Sequence, residues 1–99
     1  MIFTFNHITE KGAMLGFSLD NIEYDMTILE VKKACVKYLY PDKSDNENEL
    51  YAIEHLHFYL PRDGGCKLDE DFKNGETLKD CGYGDDIPAN CIWVLWRNV

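Results

Sequence analysis

The chain has 99 residues, which is enough for one hydrophobic core, so we expect a single domain over residues 1–99. Hydrophobic residues make up 45% of the chain, a content that argues against wholesale disorder. Eighteen acidic residues against ten basic ones give a net charge of -8, and this charge disfavours nucleic acids and acidic membranes as partners.

The chain carries neither a membrane-spanning nor a signal sequence pattern. No apolar run approaches the roughly 20 residues needed to cross a bilayer, and the opening MIFTFNHITE has no basic segment followed by an apolar one. The cysteines are too widely spaced for a zinc motif or a secreted disulfide scaffold: Cys35, Cys66, Cys81 and Cys91. We expect reduced thiols and a cytoplasmic or nuclear protein, while an organelle with internal import signals stays open.

The first two elements are predicted to form a β-hairpin. Apolar and polar residues alternate from Met1 to Ile8 and again over residues 13–19, the pattern of strands with one buried face. Glu10, Lys11 and Gly12 provide the connection between the two strands.

A helix is predicted over residues 27–39. Thr27 and Glu30 have the spacing of a capping box, in which each side chain binds the other residue's backbone N–H. Pro41 ends the pattern. The apolar stripe of this helix has helical spacing and consists of Ile28, Val31, Cys35 and Leu39.

The second half of the chain contains more turns. Residues 42–49 are almost wholly polar and are predicted to form a solvated loop, and Ile53–Leu60 is predicted to be a third strand. An acidic, turn-rich stretch over residues 63–77 leads to a small apolar cluster over residues 78–83. The final strand is predicted over Cys91–Arg97. With one helix to cover one sheet face, the fold class is α+β, a small mixed sheet packed on one helix in a β-grasp arrangement.

Five segments, in order along the chain, resemble the ubiquitin-like family: MIFTF, TILEVKKACVKYL, LHF, KNGETLKDCGY and IWVLWR. The resemblance covers essentially the whole chain and implies the β-grasp fold and a non-catalytic protein-protein interaction subunit. Within the family, TLKDCGY and the capped helix are most similar to elongin B. Elongin B is an adaptor that pairs with elongin C in cullin-type ubiquitin ligases, so the resemblance implies an elongin C-like partner in a stable complex.

Two other functions remain open for a ubiquitin-like chain. A structural subunit of another large assembly, organellar or cytoskeletal, would use the long segment over residues 40–54 as its contact. A conjugated modifier is not expected, because such modifiers end in Gly-Gly whereas the chain finishes Arg97-Asn98-Val99.

Neither an enzyme nor a bound cofactor is expected. No cysteine has a neighbouring histidine in sequence that would activate it, and the acidic residues near 69–80 do not match a calcium loop. His55 and His57 are expected on one strand face, where a metal would need Cys66 or His7 as a third ligand, so we expect two partly exposed histidines and no metal site.

The closing strand predicts a partner-binding surface. In IWVLW both faces are apolar, although the single predicted helix covers only one of them. An exposed patch is therefore expected on the other face, and by resemblance the recognition patch of the family falls there on Ile8, His57, Trp93 and Leu95. With the neighbouring Tyr59, the predicted partner-binding residues are Ile8, His57, Tyr59, Trp93 and Leu95. The alternative is that Trp93 merely shields the sheet beneath charged side chains.

Overall fold

A computed structural model describes residues 2–8, 11–42, 45–61, 68–83 and 91–96, with the backbone alone at 45, 60, 61, 68–70, 91, 93 and 96. In chain order the elements are β1 (Phe3–Ile8), β2 (Met14–Leu19), α1 (Ile28–Leu39), α2 (Asp45–His55), β3 (Leu56–Pro61), β4 (Leu68–Asp71) and β5 (Cys91–Trp96). The strands form one five-stranded sheet in the order β2-β1-β5-β3-β4. Of the strand pairs among the described residues, β1–β5 at the centre is parallel and the other three are antiparallel, so the sheet is mixed as predicted.

The predicted hairpin and the predicted helix are both confirmed. β1 and β2 pair antiparallel from Phe3–Leu19 to Ile8–Met14. Both halves of the capping box form at the start of α1, because the Glu30 N–H donates to Thr27 Oγ1 at 3.2 Å and the Thr27 N–H donates to Glu30 Oε1 at 3.2 Å.

The core lies between α1 and one face of the sheet. Three of the predicted stripe residues of α1, Ile28, Val31 and Cys35, are fully buried, and Leu39 is partly buried. They share one cluster with sheet residues at alternating positions: Phe3, Phe5, Phe17, Leu56, Phe58, Ile92 and Val94. The alternation defines two faces of the sheet, an inner face against α1 and an outer face away from it.

The predictions for residues 42–60 were partly wrong. Residues 45–55 form the helix α2 instead of a loop and the start of a strand, and β3 begins at Leu56. Asn48 and Ala52 are buried one helical turn apart, and Tyr51 packs on Tyr40 with ring centroids 5.0 Å apart. The side of α2 that packs on the domain is narrow and includes a polar residue. The composition of this segment therefore did not indicate a helix.

The segment after β4 is attached to the start of α1. The backbone N–H of Leu78 donates to Met26 O at 3.0 Å, and that of Ile28 donates to Glu76 O at 2.7 Å. Leu78 and Tyr83 are buried, which confirms the predicted apolar cluster, and Gly82 takes a positive φ of 98° that favours glycine. Of the acidic stretch predicted over residues 63–77, residues 63–67 lie outside the described residues, and Leu68–Asp71 is a strand. Arg97 also lies outside them, so the final strand is described to Trp96.

Candidate interaction surface

Register places four residues in one row across the outer face of the sheet. Ile8 of β1 pairs with Met14 of β2 on one side and with Leu95 of β5 on the other, and Leu95 in turn pairs with His57 of β3. Side chains at directly paired positions on one face are neighbours. We call Met14, Ile8, Leu95 and His57 the outer-face row.

The outer-face row is the apolar end of this face. Met14 is 57% exposed, and the other three side chains are half-buried. At the opposite end of β1 the face is polar, since Thr4 is exposed and its hydroxyl lies 3.3 Å from the Ser18 hydroxyl. The sheet therefore offers a partner a small apolar strip with a polar margin, which is the usual organisation of a protein-protein interface.

The imidazole of His57 is oriented by a carboxylate. Its Nδ1 lies 3.1 Å from Asp71 Oδ2 on the neighbouring strand β4, whereas its Nε2 is buried without a hydrogen-bond partner among the described residues. With Nδ1 as the donor to Asp71, Nε2 is left as a buried acceptor. His57 thus ends the row with a polar group.

Tyr59 does not belong to the exposed surface, and this part of the prediction was wrong. Its side chain is 5% exposed. On β3 it has strands on both sides, with Trp93 of β5 opposite it in one direction and Asp71 of β4 in the other. The sequence pattern of a single strand indicates which face a residue lies on and does not reveal how far its neighbours on that face cover it.

Trp93 is described through its backbone. It pairs with Asn6 of β1 and Tyr59 of β3, in the row next to the outer-face row. The exposure of its side chain lies outside what the structure describes, so its place in a binding surface stays a prediction, as does partner binding by Ile8, His57 and Leu95.

The histidines His7, His55 and His57 do not lie together as a metal site would require. His55 is the last residue of α2, where its Nε2 lies 3.8 Å from Glu54 Oε2, and it does not share a strand with His57. His7 is 3% exposed and alternates with Phe3 and Phe5, so it lies on the inner face, opposite His57. Burial lowers the pKa of His7 and favours its neutral form. Cys66 lies outside the described residues, among which no group of at least three potential metal ligands occurs.

The two described thiols differ in burial, and Cys35 is poorly placed for covalent chemistry. Cys35 is fully buried in the core, and burial raises its pKa well above the ordinary value, which disfavours the thiolate that acts as a nucleophile. Cys81 is half-buried, with its Sγ 3.9 Å from Glu76 Oε2.

Met14 was missed by the sequence-based reasoning. It lies one residue before the predicted apolar alternation of Leu15, Phe17 and Leu19, on the other face of β2. Its partner Ile8 belonged to the predicted surface, but assigning Met14 to the same row requires the hairpin register. The short connection over residues 10–12 was the signal that would have fixed that register.

Comparison with known proteins supports the fold and no closer relationship. No protein-family model and no curated protein sequence matches the chain. Among solved structures, the chain is similar to the UBL domain of Plasmodium falciparum Dsk2, with a TM-score of 0.50 and 18% sequence identity over 98% of this chain and 100% of that one. The chain therefore has a ubiquitin-like fold. None of the described helices is long and apolar enough to cross a membrane.

Proposed function

We propose that this domain is a non-catalytic protein-interaction module that binds a partner protein through the outer-face row. The observation that supports the proposal most directly is the register of Met14, Ile8, Leu95 and His57, which aligns three apolar side chains and a histidine across four strands on the face away from α1. The ubiquitin-like fold supports the same function, because the resemblance implies a recognition patch on this face.

More specifically, we propose that the domain is an elongin B-like adaptor. It would pair with an elongin C-like protein in a cullin-type ubiquitin ligase, in the cytoplasm or the nucleus. It rests on the sequence resemblance of TLKDCGY and the capped helix. Part of that segment, Leu78 to Tyr83, is packed against the start of α1 in the structure, so the resemblance falls on a structural turn of the fold. The second candidate is a ubiquitin-like subunit of another large assembly, and the helix α2 at residues 45–55 favours it because that helix adds surface beyond the sheet.

The test uses native purification with an N-terminal tag, followed by mass spectrometry of the proteins that co-elute. Recovery of an elongin C-like protein with a cullin would support the adaptor, and a stoichiometric set of unrelated subunits would support the second candidate. Isopeptide-linked ladders would overturn both in favour of a modifier.

The outer-face row is tested in the same purification with Leu95→Ala and Met14→Ala. Truncation of an apolar side chain at the centre of an interface costs about 2 kcal/mol of binding, roughly a thirtyfold loss of affinity. Thr4→Ala is the matched control, since Thr4 lies on the same face at its polar end. Trp93→Ala is expected to weaken the complex and leave the fold intact. Equal recovery of the partner with all four variants, at unchanged thermal stability, would refute binding through this face.

A further inference from the structure

Within the part of the chain that the structure describes, the contacts of the helix α2 lie on one side of it. Ala52 is buried against the core cluster, and Lys33 of α1 reaches Glu49 of α2 with Nζ 3.9 Å from Oε2. The Tyr51 ring packs on Tyr40 just after α1, with centroids 5.0 Å apart. These contacts fix which side of α2 faces the domain and leave the opposite side to solvent.

That opposite side carries two large apolar residues next to each other. Leu50 is 59% exposed and Ile53 is 43% exposed, and residues three apart are neighbours on a helix. A β-branched isoleucine has no advantage at an exposed helix position over Glu, Lys or Gln. Two adjacent exposed aliphatic side chains on one helix form a continuous contact area, unlike single scattered ones.

The apolar pair is bordered by acidic side chains. Glu47 lies three residues before Leu50, and Glu54 lies four residues after it, with 64% of its side chain exposed. Both are on the solvent side of α2, and the whole chain has a net charge of -8. An apolar groove edged by arginine or lysine is complementary to this combination.

We propose that the exposed face of α2, formed by Leu50, Ile53, Glu47 and Glu54, is a second docking surface that inserts into an apolar groove with a basic rim on a partner protein. This interaction goes beyond the one proposed for the outer-face row and does not depend on it. It uses the helix-in-groove mode, in which residues one turn apart are the anchors and the flanking charges select the partner.

A second copy of this chain is a poor occupant of the same face. In a symmetric antiparallel pair of α2 helices centred on Leu50 and Ile53, Glu47 of one copy would approach Glu54 of the other. Like charges placed opposite each other at an interface are repulsive, and the net charge of -8 on both copies adds to that repulsion. Charge thus favours a basic partner over self-association.

The test is photo-crosslinking of the full chain in the cells of its origin. A photo-reactive amino acid replaces Leu50 in one variant and Leu95 in a second, and the crosslinked peptides are identified by mass spectrometry. We expect Leu50 to crosslink to a single segment of another protein that contains apolar residues next to lysine or arginine. A crosslink from position 95 alone would overturn this proposal and leave the outer-face row standing, and one from position 50 alone would do the reverse.

Charge reversal on α2 provides the specificity control. Glu47→Lys with Glu54→Lys is expected to lower the crosslink yield from position 50 at least about tenfold, because the new charges repel a basic rim. Lysine has a helix propensity close to that of glutamate, so α2 is retained. Glu23→Lys with Asp25→Lys changes the net charge equally in the exposed segment before α1 and is expected to leave the yield unchanged.

Four results would overturn the proposal. These are no crosslink from position 50, a crosslink to a second copy of this chain, a crosslink to a segment without basic residues, and an equal loss of yield with both pairs of charge reversals.

Discussion

Replacement of Asn74 by aspartate is expected to stabilise the domain, because Asn74 is the hydrogen-bond acceptor of a buried cation. Lys32 on α1 is 3% exposed, and its Nζ donates to Asn74 Oδ1 at 2.6 Å. The same Nζ lies 5.6 Å from the centre of the Phe58 ring. Burial lowers the pKa of Lys32, and the negative charge of Asp71 opposes that shift in part. The ammonium is thus buried with a neutral amide as its acceptor.

The gain expected from Asn74→Asp has two sources. A hydrogen bond between two charged groups is roughly twice as strong as one with a neutral partner. The Leu29 N–H in the first turn of α1 also donates to the backbone oxygen of residue 74, so a carboxylate there lies near a helix N-terminus, which contributes about 0.3–1 kcal/mol. Desolvation of the new carboxylate and its repulsion by Asp71 offset part of the gain. Since Asn74 is half-buried, we expect about 1–2 kcal/mol of net stabilisation. Each kcal/mol raises Tm by about 4–8 °C in a domain of this size.

The gain should disappear in acid. The new carboxylate beside Lys32 has a folded-state pKa below the ordinary value of about 3.9, so its stabilisation is complete above that value and is lost as the pH falls through the lowered folded-state pKa. In the same variant the pKa of Lys32 moves upward, towards its ordinary value.

Thermal unfolding at about pH 7 and about pH 2.5 measures the effect of Asn74→Asp, with the low pH chosen below the ordinary carboxyl pKa. Asn21→Asp serves as the matched control, because it adds the same charge at an exposed position. If the two variants unfold at the same temperature at neutral pH, or if the gain at position 74 persists unchanged in acid, the ion pair is not the cause.

Two further predictions concern the turn after β4 and the buried thiol. Backbone and side-chain hydrogen bonds from Thr77 lower the pKa of Asp80 below 3.8, so the stabilisation they provide is lost as the pH falls through that lowered pKa. In Thr77→Ala the backbone N–H of residue 77 still donates to Asp80 and only the hydroxyl is lost, so the pKa of Asp80 should rise part of the way towards 3.8 in a carboxyl NMR titration; an unchanged titration would contradict the contribution of the Thr77 hydroxyl. For the thiols, Cys35 should react with iodoacetamide only when the domain unfolds, whereas the half-buried Cys81 reacts from the folded state, and equal rates in native buffer would contradict the burial of Cys35.

The elements whose signals are local could be predicted from the sequence. A capping box such as Thr27 with Glu30 acts within one helical turn, and the alternation over β1 depends only on which face is buried. The same local logic placed Val94 on the inner face and Leu95 on the other, as the burial of Val94 and the partial exposure of Leu95 show. These patterns were sufficient for the fold class because two strands, one helix and further strands, in that order, favour a small mixed sheet with one face covered by the helix.

The features that were missed depend on contacts between elements. The buried side of α2 contains Asn48 and Ala52, which do not form an apolar pattern in the sequence. The local composition of DKSDNENE therefore indicates a loop. Tyr59 is 5% exposed although alternation places it on the outer face, and β4, which pairs beside it, has no sequence signal of its own. Met14 joins the outer-face row through the hairpin register, and a slip of one residue would have placed Leu15 there instead.

The two proposed docking surfaces belong to different layers of the fold, and this arrangement determines what the domain can do as a subunit. The outer-face row is on the side of the sheet away from α1, whereas α2 packs against α1 through Ala52 and the Lys33–Glu49 ion pair. A partner on one surface therefore leaves the other accessible. Binding two proteins at once is what a bridging subunit requires, and it needs no change in the fold because both surfaces rest on the same buried core. Loss of one partner with Leu95→Ala and of a different partner with the α2 charge reversals would show bridging, whereas loss of the same partner with both would show one continuous interface that wraps around the domain.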